Sequence, residues 1–117
     1  MPATWIEFDP HTDPYEQRKA IDDFTSSRPV VVIEYRGSEH DSLLCGRHGL
    51  AHWNQYSDIA FGTVHYDTVR HAAAREHVMA PGTVVVYAFG IQVGQSHKAR
   101  APHPEELIER ARELLAE

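Results

Sequence analysis

The stretch SLLCGRHGLAHW, residues 42–53, contains the only cysteine of the chain together with two histidines. Cys45, His48 and His52 are spaced so that a helix through this stretch would bring them to one side. The leucines of the same stretch fall on the opposite side, so the cysteine and the histidines are predicted to face away from the apolar core. These residue types are suited to thiol redox chemistry, metal binding or nucleophilic hydrolysis.

Single-thiol redox chemistry would depend on the thiolate form of Cys45. A helix N-terminus, a protonated His48 or the charge of Arg47 would each lower the thiol pKa and let it react with peroxide, glutathione or a partner thiol. The product would be a sulfenic acid or a mixed disulfide, which an external thiol would resolve. The alternative is a solvated Cys/His face whose thiol has an ordinary pKa.

A metal site is a further interpretation of Cys45, His48 and His52. A thiolate and two imidazoles suit Zn or Cu, but a single helix seldom completes such a site, and a fourth ligand would have to come from elsewhere. The spacing matches no strong zinc signature, and no cofactor is expected. The interpretation of Cys45 and His48 as a hydrolytic pair has still less support, because the sequence identifies neither an orienting carboxylate nor an oxyanion hole.

Composition and charge limit the class of protein. The chain has 117 residues, 42% hydrophobic and 24% charged, which predicts one globular domain over 1–117. Its net charge of −6, counted with neutral histidines, argues against a nucleic-acid or anionic membrane partner. One cysteine cannot form an internal disulfide and the N-terminus lacks signal-peptide features, so a cytoplasmic location is expected. The Ala-, Arg- and His-rich composition is compatible with a bacterial source.

Strands alternate with helices along the chain. Apolar or alternating runs predict strands at 4–9, 30–35, 59–66, 83–88 and 91–97. Helical patterns occupy 14–26, about 42–56, 69–78 and 105–115. The order β-α-β-α-β-α-β-β-α predicts an α/β fold with a mixed sheet, helices on both faces, and a terminal hairpin as its antiparallel edge. The β-branched run 30–35 indicates a strand buried on both faces, with 83–88 beside it at the centre.

Local signals predict where the helices begin and which side chains they bury. Asp13 is expected to cap the first helix, with a proline following at the first helical position. Asp67 or Thr68 is expected to cap the third helix. In the last helix, Leu107, Ala111 and Leu114 recur at helical spacing, with Leu115 beside them.

The sequence resembles thioredoxin over nearly its whole length. The resemblance rests on the element order and on three stretches, namely RPVVVIEY, TVHYDTVRHAAAREHV and VMAPGTVVVYAFGIQVG. It implies a thioredoxin-like fold. It also places Pro81 where thioredoxins have a cis proline, so the Ala80–Pro81 bond is expected to be cis.

The single cysteine separates this chain from dithiol thioredoxins. A thioredoxin uses Cys-x-x-Cys because one thiolate attacks and the second thiol resolves the mixed disulfide. One alignment places CGRH on that motif. The other, which needs no large insertion and is favoured by the loop lengths, places residues 39–42 there and Cys45 about one turn later. A conventional dithiol–disulfide oxidoreductase is excluded, and the resemblance favours a non-catalytic protein.

The lead hypothesis is therefore a binding module for another protein or peptide, like the noncatalytic domains of protein disulfide isomerases. The resemblance implies a groove in which a peptide pairs with the backbone in β fashion. Its predicted residues are Ser38, Glu39, His40, Asp41, Ser42, Met79, Ala80 and Pro81. Phe89 is either an apolar contact of this groove or a turn residue packed back on the sheet, whereas Trp53 is interpreted as a partly buried core aromatic. A homodimer is compatible with the sequence, which leaves the oligomeric state open.

Overall fold

The computed structural model describes the backbone of Thr4–Glu7 and residues 13–37, 52–97 and 102–116. Among these, five strands form one sheet: β1 (Thr4–Glu7), β2 (Val30–Arg36), β3 (Ala60–His65), β4 (Thr83–Ala88) and β5 (Ile91–His97). The spatial order is β1-β3-β2-β4-β5. The first three strands are mutually parallel, and β4 is antiparallel to both β2 and β5. The predicted mixed sheet, its central pair and its terminal hairpin are confirmed.

Three α-helices are described in full: α1 (Pro14–Thr25), α2 (Arg70–Arg75) and α3 (Pro104–Ala116). The predicted helix 42–56 lies mostly outside the described residues. Of the described residues in this range, only His52 and Trp53 are helical. A turn follows at 54–55, so the helix ends before the predicted Tyr56.

The sheet separates two apolar clusters, because successive side chains of β2 point to opposite faces. Helix α3 packs against β4 and β5 on one face, while α1 and α2 contact each other on the other face. The first cluster includes Val30, Val32, Trp53, Phe61, Val86 and Leu107. The second includes Ile21, Phe24, Val31, Ile33, Tyr35 and Ala73. The prediction of a central strand buried on both faces is therefore confirmed.

The start of α1 follows the sequence signal. The Asp13 carboxylate accepts a hydrogen bond from the Tyr15 backbone N–H at 2.8 Å, and a proline occupies the first turn. This bond satisfies one of the N–H groups that a helix start leaves without an intrahelical acceptor. The helix then buries Gln17, Ile21 and Phe24 against the sheet.

The predicted cap of the third helix is wrong. A 3₁₀ turn, Tyr66–Thr68, precedes α2, and Val69 occupies the cap position without a side-chain hydrogen bond. The Thr68 hydroxyl instead donates to the His65 carbonyl at 2.9 Å, and Asp67 accepts from Arg70 at 2.9 Å. The tighter turn engages both candidate caps before the α-helix begins, which also shortens the predicted helix 69–78.

The buried stripe of the last helix does not include Leu114, which is 50% exposed. Leu107 and Ala111 are fully buried, and Leu115 packs against the same cluster. The stripe therefore follows a spacing of four residues from Leu107 to Leu115 and leaves Leu114 at the rim.

Replacing Asp13 by alanine should destabilise the protein by about 1 kcal/mol, because the Tyr15 N–H loses its acceptor. The control is Asp13→Ser, which keeps an oxygen at the cap and should lower the stability by only about a few tenths of a kcal/mol. Urea unfolding followed by circular dichroism measures both values. Equal stability of the alanine and serine variants would contradict this role for the cap.

Candidate functional site

The candidate site lies where β2 ends and β4 begins. The two strands are antiparallel and Tyr35 pairs with Thr83, so these ends meet at one edge of the sheet. The Gly82 N–H donates to the Tyr35 carbonyl at 2.8 Å. A Cβ atom at Gly37 would lie 3.0 Å from the Pro81 Cβ, so glycine at this position leaves room for the proline ring. These contacts hold the segment before β4 against the end of β2.

Met79 and Ala80 combine an exposed apolar side chain with main-chain donors that have no acceptor among the described residues. The Met79 side chain is 78% exposed, whereas its neighbour Val78 is 1% exposed and anchors the segment in the core. Among the described residues, neither the Met79 N–H nor the Ala80 N–H has a hydrogen-bond acceptor. An extended segment laid beside these two residues would find both a surface for an apolar side chain and free backbone donors.

The carbonyl of Ala80 belongs to a short polar chain. The Thr83 hydroxyl donates to it at 2.9 Å and also lies 3.1 Å from the His97 Nδ1 atom. The Thr83 hydroxyl thus lies between the Ala80 carbonyl and the His97 ring.

The turn before the groove is held by two glutamines of the edge strand. Gln92 Nε2 donates to the Glu76 carbonyl at 2.7 Å, and Gln95 Nε2 donates to the Glu76 and His77 carbonyls at 3.1 and 3.0 Å. His77 has a φ of +63°, in the left-handed region that side chains seldom adopt. The sequence pattern did not predict this role for Gln92 or Gln95, since the carbonyls they bind are distant in the chain.

A buried carboxyl group lies in the central strand near the same edge. Glu34 is fully buried on β2, opposite Thr63 of β3. Two register steps further, Arg36 pairs with His65, and the Arg36 Nη2 atom lies 3.5 Å from His65 Nε2. A glutamate inside a run of β-branched residues is the sequence signal that could have revealed this feature. The pairs Glu34–Thr63 and Arg36–His65 form a polar layer at the ends of β2 and β3.

Titratable groups also occur on the face of the sheet opposite to that of Glu34. The hydroxyl groups of Tyr35 and Tyr87 lie 3.2 Å apart, and burial raises the pKa of both phenols. Burial also raises the pKa of Glu76 above its ordinary value, while Arg75, whose guanidinium lies 3.6 Å from the Glu76 carboxylate, opposes that shift. The Arg75 guanidinium also forms two hydrogen bonds with Asp22 of α1, at 2.6 and 3.1 Å.

The structure describes only part of the predicted site. Met79, Ala80 and Pro81 lie together at the sheet edge. The remaining predicted groove residues, Ser38, Glu39, His40, Asp41 and Ser42, lie outside the described residues, as do Cys45 and His48. The cis geometry of the Ala80–Pro81 bond stays a prediction.

His52 and Trp53 lie away from that edge. The His52 Nε2 atom is 3.7 Å from a Glu105 carboxylate oxygen, and its ring meets Trp53 edge to face at 4.5 Å. Trp53 is 4% exposed and belongs to the core, as predicted. Within the described ranges, no group of three histidine, cysteine or acidic side chains could hold a metal ion.

The structure places Phe89 away from the groove, and its exposure also argues against a turn residue packed back on the sheet. Phe89 follows the last residue of β4, whereas Pro81 precedes the first. A strand of this length separates its two ends by roughly 17–20 Å. Phe89 is 68% exposed at the far end of the sheet.

Comparison with known structures identifies the fold. Thioredoxin NaTrxh from Nicotiana alata has 17% identity and a TM-score of 0.64, with 99% of this chain and 94% of that chain covered. Schistosoma mansoni thioredoxin has 16% identity and a TM-score of 0.64, covering 92% and 94%. A mutant thioredoxin from Halobacterium salinarum has 18% identity and a TM-score of 0.63, covering 99% and 92%. The fold is thioredoxin-like, as the sequence predicted.

Comparison at the level of sequence finds no relative of the chain. No protein-family model and no curated protein matches it. At these identities the likeness to thioredoxins concerns the fold alone. No helix in the described part of the chain is long and apolar enough to span a membrane.

The raised pKa of Glu76 gives stability a defined pH dependence. A carboxyl group that binds its proton more tightly when folded adds stability below its unfolded pKa, near 4.3, and loses that contribution as the pH rises through the folded pKa. The stability of the wild type relative to Glu76→Gln should therefore fall as the pH rises from about 4.3 through the folded pKa. Urea unfolding of both proteins across this range measures the difference. A difference that is constant, or that grows with pH, would contradict the assignment.

Proposed function

We propose that the protein is a non-dithiol, thioredoxin-like binding module that takes an extended polypeptide segment of another protein along Met79, Ala80 and Pro81. The observation that carries the proposal is the exposed Met79 side chain beside backbone donors with no acceptor among the described residues. An extended segment would pair with these donors in β fashion and place an apolar side chain on Met79.

The surroundings of this segment support binding because they fix it before a partner arrives. Pro81 packs on Gly37, Gly82 is hydrogen-bonded to Tyr35, and the preceding turn is held by two glutamines. A segment that is already ordered loses little conformational entropy on binding, so more of the interaction energy appears as affinity.

Recognition at this surface depends on main-chain and apolar contacts rather than on charge. Residues 78–82 contain no charged side chain, in a chain with a net charge of −6. Main-chain pairing is tolerant of sequence, and contact with the Met79 side chain would supply the selectivity. The partner is therefore an unfolded or extended segment that carries an apolar residue.

Substituting Met79 by aspartate should weaken the binding of a reduced and alkylated, permanently unfolded polypeptide by about tenfold or more, or about 1.4 kcal/mol. The reason is that a carboxylate replaces the apolar contact and would lose its hydration when the partner binds. Fluorescence anisotropy with the labelled polypeptide measures the dissociation constant. Alkylation of the probe excludes thiol exchange from the signal.

Two variants serve as matched controls for Met79→Asp. Met79→Leu keeps an apolar side chain of similar volume and should bind like the wild type. Tyr15→Asp places the same charge at another strongly exposed residue, 70% accessible on α1, and should leave binding unchanged. The proposal fails if the wild type does not bind, or if the two aspartate variants bind equally.

Thiol chemistry at Cys45 is the second candidate function. The observation in its favour is the thioredoxin-like fold of a chain that keeps one cysteine. A thiolate at Cys45 would attack one sulfur of an oxidised low-molecular-weight disulfide, form a mixed disulfide and release the other sulfur as a thiolate. An external thiol would then attack the mixed disulfide and restore Cys45.

Reaction of Cys45 with an aromatic disulfide reagent, followed across pH 5–10, separates the two candidates. A redox role predicts an apparent thiol pKa below about 7, because the thiolate must be populated at neutral pH. A binding module without redox chemistry predicts a value near 8.5. Cys45→Ser supplies the blank, and it should retain the affinity for the alkylated polypeptide if binding is the function.

A further inference from the structure

Met79 carries an accessible sulfur in the proposed groove. Its side chain is 78% exposed, and the chain contains only one other methionine, Met1. A thioether sulfur is oxidised to a sulfoxide when small oxidants reach it. The neighbouring residues hold Met79 in its exposed position, because Val78 is buried in the core and the Pro81 ring packs on Gly37. The sulfur is therefore open to attack in the folded protein.

Oxidation of Met79 would remove the apolar contact that the groove offers to a partner. Within residues 78–82, Met79 is the one large apolar side chain that is strongly exposed. A sulfoxide turns this flexible apolar side chain into a polar one. Its oxygen would lose hydration when an apolar side chain of the partner is laid on it, which opposes binding. The oxidised groove should therefore bind an extended segment more weakly.

The new oxygen atom would also lie close to the backbone donors that a partner uses. The Met79 and Ala80 N–H groups have no acceptor among the described residues. A sulfoxide oxygen accepts hydrogen bonds, and three rotatable bonds let the methionine side chain turn back towards its own backbone. It would then compete with a carbonyl group of the partner for these donors. Oxidation thus acts on both the apolar contact and the β pairing.

The fold itself does not depend on the Met79 side chain. Methionine oxidation disrupts a protein mainly where the residue lies in a core or an interface. Here Val78 supplies the core contact of the segment, and Gln92 and Gln95 hold the turn before it. The chemical change is therefore confined to the groove, as a reversible switch of binding requires.

We propose that Met79 is a site of reversible oxidation that switches off peptide binding, an inference that rests on the proposed binding function. The Met79 sulfur attacks one oxygen of hydrogen peroxide. An S–O bond forms, the O–O bond breaks, and the departing hydroxide takes the proton of the sulfur-bound hydroxyl to become water. The sulfur loses two electrons and the peroxide gains them. A methionine sulfoxide reductase reverses the change, because two thiols become a disulfide while the oxygen leaves as water.

Peptide binding before and after peroxide treatment tests the proposal. The Cys45→Ser protein excludes thiol oxidation, and catalase removes residual peroxide before a labelled, alkylated and methionine-free polypeptide is added. Complete oxidation of Met79, verified by peptide mass mapping, should raise the dissociation constant by about tenfold or more. Treatment with a methionine sulfoxide reductase and dithiothreitol should restore the original value.

Met79→Leu in the same background is the matched control, since it keeps an apolar side chain of similar volume and lacks the sulfur. It should bind equally well before and after peroxide, which also accounts for any oxidation of Met1. Urea unfolding should give the same midpoint for the oxidised and untreated Cys45→Ser proteins. A lowered midpoint would assign the loss of binding to damage of the fold and overturn the proposal.

The remaining outcomes separate the switch from the function on which it rests. Failure of the untreated protein to bind removes both proposals. If the untreated protein binds and complete oxidation of Met79 leaves the dissociation constant unchanged, the binding function stands and the switch is overturned. The switch is also overturned if the Met79→Leu control loses affinity to the same extent. Oxidation of Met79 that is far slower than that of N-acetylmethionine amide would contradict the accessibility of its sulfur.

Discussion

The antiparallel pairing of β2 with β4 is the constraint on which the rest of the structure depends. Every residue of β4, and every residue of β2 from Val30 to Tyr35, is buried, so the pair has apolar layers on both faces and cannot slip in register without exposing them. The register that pairs Tyr35 with Thr83 brings the ends of both strands together. Gly37 and Pro81 meet for that reason, and Glu34 is enclosed in the middle of the sheet.

The same pairing divides the exposed apolar surface into two parts. The chain enters β4 beside Met79 and leaves it at Phe89, so the two surfaces lie at opposite ends of one rigid strand. Gln92 contributes to both regions, since it holds the Glu76 carbonyl and lines the shallow apolar depression beside Phe89.

The sequence predicted those features that depend on neighbouring residues. The hairpin strands were predicted with the bounds that the structure has, because apolar runs and a turn signal define them locally. The predicted cap failed for a local reason, because a 3₁₀ turn engages Asp67 and Thr68 before α2 begins. Other features are decided by distant contacts, such as the packing of α3 on the sheet, which selects Leu115 over Leu114. The bonds from Gln92 and Gln95 join residues 16 to 19 positions apart, which no local pattern indicates.

The central claim is that a bound polypeptide pairs with the backbone of Met79 and Ala80. Amide hydrogen exchange, measured with and without saturating alkylated polypeptide, tests it at the level of single N–H groups. We expect exchange at Met79 and Ala80 to slow by about tenfold or more on binding, while the Phe89 and Ile91 amides are unaffected. Unchanged exchange at both Met79 and Ala80 in the saturated complex would contradict β pairing at this groove.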